Sequence, residues 1–218
     1  MSALFVTGTD TGVGKTVVSA WLARHWQADY WKPIQSGLET ASDSEWVRRW
    51  SGQTCHPEAY RLRTPVSPHL AARLDGRRIE LEALVLPPAP RLIVEGAGGV
   101  MVPLNEDELM LDLMRRLRLP VMLVARAALG TINHTLLSVR VLREAGLEVL
   151  GVVLNGPQDD GEEAAVRVAD TRETIERFAR VRVLDHLQPW LRVDAQALTQ
   201  REPAPALRDA LRALGGPR

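Results

Sequence analysis

Gly8-Thr9-Asp10-Thr11-Gly12-Val13-Gly14-Lys15-Thr16 has the composition of a polyphosphate cradle. A triphosphate needs many donors at short range and little side-chain bulk in its way. Glycines at 8, 12 and 14 let backbone N–H groups turn inward around an anion. Lys15 reaches terminal phosphates as a point charge, and the Thr16 hydroxyl is a ligand for Mg2+. Five residues separate Gly8 from Gly14, one more than the common spacing, while the ending Gly14-Lys15-Thr16 is intact. A glycine-rich turn with an ordinary surface lysine is the bland alternative. It loses because an apolar run, Ala3-Leu4-Phe5-Val6, precedes the loop and Val17-Val18-Ser19-Ala20-Trp21-Leu22 follows it. That order reads strand, loop, helix, and the helix points its positive end at the same spot.

The remaining elements must place partners for this loop. Tyr30-Trp31-Lys32-Pro33-Ile34 reads as a second strand ending at Pro33, and Ser42 to Trp50 as a helix capped by Ser42. Ser67 to Leu74 and Glu80 to Leu86 read as helices before the break at Pro87-Pro88-Ala89-Pro90. Arg91 to Val94 is a buried strand that stops at Glu95-Gly96-Ala97-Gly98-Gly99. Glu108 to Leu117 is amphipathic, Val121 to Ala125 is a buried strand, and Thr131 to Ala145 is a helix ending at Gly146. Val149 to Leu154 is a strand, Gly161 to Arg180 a polar helix, Val181 to Leu184 an edge strand and Pro203 to Leu214 a closing helix. Continuous apolar strands alternating with helices predict an α/β fold: a doubly wound, mostly parallel sheet covered on both faces. Ligands then sit beyond the carboxyl ends of the strands.

Those ends carry the other candidates. Lys32 is placed to hold a γ-phosphate or an anionic substrate, against the alternative of a solvated lysine. Glu95 directly follows three apolar residues, so its carboxylate emerges at the same edge and pairs with Thr16 as a Mg2+ ligand. Gly96, Gly98 and Gly99 permit close backbone approach. Asp43 is, by pattern, only a carboxylate at a helix start. Gly130-Thr131-Ile132-Asn133-His134 opens a helix whose free N–H groups suit a carboxylate, and a plain N-cap by Thr131 explains it equally well. His69, His134 and His186 lack zinc spacing, and Cys55 reads as structural.

Composition bounds the rest. The 218 residues suffice for a single α/β domain spanning 1–218. Lys plus Arg and Asp plus Glu each number 27, so no basic field argues for nucleic acid. One cysteine excludes an internal disulfide and fits a reducing cytoplasm. No apolar run approaches the roughly 20 residues of a membrane helix, and no signal peptide is seen.

Taken together, Gly8 to Thr16, Lys32-Pro33 with Ser36-Gly37, Ser67-Pro68-His69, Glu95 to Gly99, Gly130 to His134 and Asn155 resemble the dethiobiotin synthetases, P-loop enzymes of biotin synthesis. The resemblance runs in order to about Leu191 and is poor from Arg192 on. It implies ATP and Mg2+ as cofactors, and conversion of 7,8-diaminononanoate and CO2 to dethiobiotin through a carbamate and a carbamic–phosphoric anhydride. It implies that Lys32, Lys15 and Thr11 are catalytic and that Thr16, Asp43 and Glu95 surround the metal. ATP would be held by Gly12, Val13, Gly14, Lys15, Thr16 and Val17, with Asp43, Glu95, Gly96, Ala97 and Gly98 around the phosphates and Asn155, Gly156, Pro189, Trp190 and Leu191 at the base. Ser36 and Thr11 would meet the diamine, and Gly130, Thr131, Ile132 and Asn133 its carboxylate. That last helix start would come from the second subunit of a homodimer.

Three rival readings share parts of this pattern. Partition- and septum-type switch ATPases have a similar loop but carry a lysine five residues before the loop lysine, where this chain has Asp10. A glutamine-dependent amidoligase would need a nucleophilic cysteine, and Cys55 has no such context. A generic small-molecule kinase explains less of the set. The joint presence of Lys32, Ser36 and Glu95 to Gly99 favours the synthetase.

Overall fold

Leu4, Phe5 and Val6 are fully buried, as a strand covered on both faces requires. They lie in β1 (Ser2–Gly8) of a computed structural model that describes residues 1–156, 162–190 and 192–215. Then come α1 (Lys15–Trp26), β2 (Asp29–Trp31), β3 (Ile34–Ser36), α2 (Asp43–Ser51), β4 (Cys55–His56), β5 (Tyr60–Leu62) and α3 (Pro68–Leu74). The second half contributes β6 (Arg91–Gly99), α4 (Met110–Leu117), β7 (Val121–Arg126), α5 (Thr131–Glu144) and β8 (Val149–Asn155). It ends with α6 (Glu162–Ala179), β9 (Val183–Leu187), α7 (Ala195–Gln200) and α8 (Pro205–Leu214).

Seven strands form one sheet in the order β4-β2-β6-β1-β7-β8-β9, with parallel pairing throughout. The chain winds outward from β1 to one edge, returns through β6, and winds to the other edge. The carboxyl end of β1 is therefore a switch point, where open α/β sheets bind ligands. Side chains alternate across the sheet. Leu4 and Val6 pack with Val18, Trp21 and Leu22 of α1, while Phe5 packs on the opposite face with Leu113 and Met114 of α4. Burying an aliphatic side chain such as Leu22 contributes about 1.5–3 kcal/mol, so both faces hold β1 firmly.

Several local expectations change. The strand expected over 30–34 is divided: β2 ends at Trp31, and β3 pairs with β5 in a separate two-stranded parallel sheet. Pro33 lacks an N–H, and its carbonyl accepts from the Tyr60 N–H at 3.0 Å, which starts that second pairing. The helix expected over 80–86 is one 3-10 turn, Leu81–Ala83, because Pro87 and Pro88 follow closely. β6 runs to Gly99 rather than stopping at Glu95. Val6 pairs with Glu95 and Gly8 with Gly99, so Gly96-Ala97-Gly98 bulge against the single residue Thr7. The edge strand lies at 183–187 rather than 181–184, and Gly161 falls outside the described residues. β4, β5 and α7 are too short to have given a periodic pattern.

Candidate active site

The loop after β1 is shaped by its glycines and held from three sides. Gly14 is the N-cap of α1 with φ 91°, and no side chain caps that first turn. Its N–H groups therefore face an incoming anion. A Cβ at Gly14 would lie 2.0 Å from Asn155 Nδ2. Asn155 Nδ2 donates to the Val13 carbonyl at 2.9 Å, Arg126 Nη2 to the Gly12 carbonyl at 3.3 Å, and Lys15 Nζ to the Asp10 carbonyl at 3.0 Å. Burial pushes the Lys15 ammonium down to about 8; Glu95 opposes that shift and Lys32 adds to it. Val17 is half-buried in the first turn of α1.

Behind the loop, three donors meet one carboxylate. Glu95 is fully buried. Its Oε1 accepts from Thr16 Oγ1 and from Lys32 Nζ, each at 3.0 Å, and its Oε2 accepts from Tyr30 Oη at 3.0 Å. Lys32 Nζ also pairs with Asp43 Oδ2. Burial works to lower the Lys32 pKa, but the charges of Glu95 and Asp43 and their hydrogen bonds outweigh it, so the pKa rises. Burial and then Glu95 hold the Tyr30 pKa well above its ordinary value, which keeps its hydroxyl a donor.

Asp43 reaches this cluster because α2 starts where it does. Ser42 and Glu45 form a capping box: Glu45 N–H donates to Ser42 Oγ at 3.3 Å and Ser42 N–H to Glu45 Oε2 at 2.6 Å. Gln35 Oε1 accepts from the Asp43 N–H at 3.2 Å and ties α2 to β3. Thr16, Asp43 and Glu95 offer the hard oxygen donors Mg2+ takes, few enough to leave positions for water and phosphate. That donor set fits the ion. The set has two carboxylates and a hydroxyl, and among the described residues no group of three or more His, Cys, Asp or Glu is placed to hold a metal ion.

Two more groups flank this centre. On one side, Gly98 has φ 66°, and a Cβ there would meet Val102 at 2.6 Å and Thr11 Oγ1 at 3.4 Å. The bulge of β6 thus lies against Thr11. Ser36, at the end of β3, is half-buried with an Oγ that has no hydrogen-bond partner. On the other side, after β7, Gly130 and not Thr131 caps α5, with φ 92°. This corrects the expected cap, because only glycine adopts that conformation readily. The Thr131 Oγ1 is left buried without a partner, while Gly130 and Asn133 are exposed and Ile132 half-buried. A cavity of about 360 Å3 opens there, lined by Leu129, Gly130, Thr131 and Ile132 and by Val168 and Thr171 of α6.

In the segment expected to border the base, the Gly156 N–H donates to the Leu187 carbonyl at 2.8 Å, and Pro189 and Trp190 are half-buried. Leu191 lies outside the described residues.

The buried lysine–carboxylate cluster beneath a phosphate loop can now be set beside known proteins. Residues 2–197 match the family model described as an AAA domain. The chain is 51% identical over 205 residues to the ATP-dependent dethiobiotin synthetase BioD of Paramagnetospirillum magneticum, covering 93% of this chain and 96% of that protein. The chain belongs to the dethiobiotin synthetase family. A second relative, the BioD of Rhodopseudomonas palustris, is 51% identical over 189 residues, covering 84% of this chain and 88% of that one. Among solved structures, the MinC:MinD cell division complex of Aquifex aeolicus matches with a TM-score of 0.58 at 10% identity, covering 100% of this chain and 97% of that one. At that identity the likeness shows a shared α/β fold and nothing of function.

Within this synthetase-family chain, sequence reasoning missed three residues of the centre. Tyr30 stands two positions before Lys32, and a period of two placed its hydroxyl on the same side. Arg126 ends β7 beside β1, at the carboxyl edge where the parallel sheet is expected to bind ligands. Gln35 gave no signal, since its role depends on where α2 begins.

Proposed function

We propose that this protein closes the ureido ring of dethiobiotin from 7,8-diaminononanoate, CO2 and ATP. The observation that carries the reading is the cluster of Glu95 with Thr16, Lys32 and Tyr30 beneath the Gly8–Thr16 loop. One amine of the substrate adds to CO2 and loses a proton to give a carbamate. A carbamate oxygen attacks the γ-phosphorus, ADP leaves, and a carbamic–phosphoric anhydride forms. The second amine attacks its carbonyl carbon, phosphate leaves with its electron pair, and the ring closes with loss of a proton.

The chain's own residues supply position and charge, the main needs of phosphoryl transfer. Backbone N–H groups of Gly12 to Val17 hold the phosphates, and Gly96 to Gly98 border them. Lys15 and Lys32 offset negative charge on the γ-phosphate and the carbamate. Lys32 is pre-aimed because Glu95 and Asp43 hold its ammonium. Thr11 and Ser36 contact the nitrogen end of the diamine; the buried, unpartnered Ser36 hydroxyl supports this. Thr16, Asp43 and Glu95 are the residues that would hold Mg2+, which would supply charge neutralisation at the phosphates. Asn155 and Gly156 lie at the base with Pro189, Trp190 and Leu191.

The Gly130–Asn133 turn takes the substrate carboxylate, donated by a second copy of the chain, so the protein works as a homodimer. The unpartnered Thr131 hydroxyl and the fully exposed Leu129 support that assignment. We read 1–218 as one domain acting in the cytoplasm. No helix among the described residues is long and apolar enough to cross a membrane.

The test is phosphate release and dethiobiotin formation by purified protein, with and without the diamine. The reading expects phosphate release to depend on the diamine; equal ATP turnover in both arms would sink it.

A further inference from the structure

Arg201 lies past the segment matched by the family model, yet it reaches back to the wall beside β8. Its guanidinium lies over the Trp190 ring, 5.1 Å from the centroid. Its Nη1 donates to the Gln188 carbonyl at 2.6 Å and its Nη2 to the His186 carbonyl at 3.1 Å. His186 Nε2 in turn faces the Gly156 carbonyl, and the adjoining Asn155 holds the phosphate loop at Val13. A continuous run of hydrogen bonds therefore links the loop, the end of β8, the 186–190 segment and Arg201. The opposite side of Arg201 is anchored as well. Its carbonyl accepts from Trp21 Nε1 of α1 at 2.7 Å, and the preceding residues of α7 accept from Arg24 and His25 of the same helix.

We propose that Arg201 is a positioning residue for the nucleotide base: it fixes the 186–190 segment and the Trp190 ring as the wall against which the base packs. This rests on the reading that Pro189 and Trp190 border the base. A planar, forked cation suits the task. It occupies one face of the indole while bridging two carbonyls, which a lysine's single ammonium does not reproduce. Asp185 shares the arrangement by accepting from the Ala204 N–H at 2.7 Å, which holds the far side of the same turn.

The experiment is calorimetric binding of ATP and of tripolyphosphate to the full-length protein, without the diamine. Tripolyphosphate uses the loop and not the base wall. Arg201→Ala is expected to weaken ATP roughly tenfold while leaving tripolyphosphate within about twofold. Arg201→Lys should recover part of the loss. The Trp21 bond survives both substitutions, because it uses the Arg201 carbonyl. Trp190→Ala should weaken ATP by itself, and adding Arg201→Ala to it should cost little more, since the two act as one wall. Unchanged ATP affinity in Arg201→Ala overturns the proposal, and so do equal losses for both ligands or additive losses in the double variant. Wild-type protein that binds ATP but forms no dethiobiotin would defeat the proposed reaction while leaving the Arg201 assignment readable.

Discussion

Behind the Gly8–Thr16 loop, three side chains donate to the buried Glu95; at the start of α5, the buried Thr131 hydroxyl finds no acceptor. Both oxygens of Glu95 are hydrogen-bonded within one chain. Thr131 Oγ1 is not, and Leu129 near it is fully exposed beside an open cavity. Buried polar atoms are seldom left unpaired, because each costs about 1–3 kcal/mol. The contrast teaches a division of labour. On the proposed reading, the phosphate and lysine centre is preorganised, whereas the end assigned to the substrate carboxylate is completed by substrate and a second copy of the chain.

The largest effect should follow from breaking the closed region. Lys32→Ala removes the cation shared by Glu95 and Asp43. Ring formation should fall by at least roughly 10²–10³-fold, the usual loss for one charge-stabilising donor. ATP should still bind by calorimetry. The variant should also lose stability, by about 3–5 kcal/mol, because buried carboxylates are left uncompensated. Normal turnover in this variant would contradict the catalytic role. Next in size is Glu95→Ala, which takes away one proposed Mg2+ ligand and the acceptor of Thr16 and Tyr30. The Mg2+ half-saturation should rise roughly thirty- to hundredfold, on the scale of one charged interaction. An unchanged Mg2+ titration would remove Glu95 from the metal.

The open region predicts the opposite pairing of signs. Thr131→Val keeps the shape and deletes the orphaned hydroxyl. The free protein should gain up to about 1 kcal/mol of stability, while KM for the diamine rises by roughly tenfold or less at nearly constant kcat. Thermal unfolding and steady-state kinetics on one preparation decide it. A loss of stability with unchanged KM would make Thr131 an ordinary structural residue and erase the contrast.

How much of this was legible beforehand follows the same line. The β1–loop–α1 unit was readable because its glycines, Lys15 and flanking apolar runs are contiguous, so local physics fixed it. Glu95 was readable as a carboxylate after three buried residues. The Lys32–Asp43 pairing was not readable from pattern, because it depends on Pro33 diverting the chain into a second sheet and on Gln35 seating α2. β4 and β5 are too short to show periodicity, and the turn over 81–83 lost its helix to the following prolines. The start of α5 at Thr131 was readable from the pattern; of the two readings open for that turn, the N-cap by Thr131 gives way to Gly130 in a left-handed conformation, with the Thr131 hydroxyl unpartnered.

The smallest effect concerns protons and separates the two regions by charge. Burial pushes Lys15 down to about 8 from an ordinary 10.5. The folded state therefore binds fewer protons than the unfolded chain between those values, and stability rises with pH across that window. Between about pH 7.5 and 8.5 the gain should stay under about 1 kcal/mol. A phosphate set against Lys15 favours the ammonium, so ATP binding near pH 8 should take up a fraction of a proton. Calorimetry in buffers of different ionisation enthalpy reads that uptake directly. Nonanoate offers only a carboxylate, and Gly130 to Asn133 carry no titratable side chain. Its binding should exchange no proton at that end. Equal proton uptake by both ligands would mean that the charged and the neutral halves of the site are not distinct.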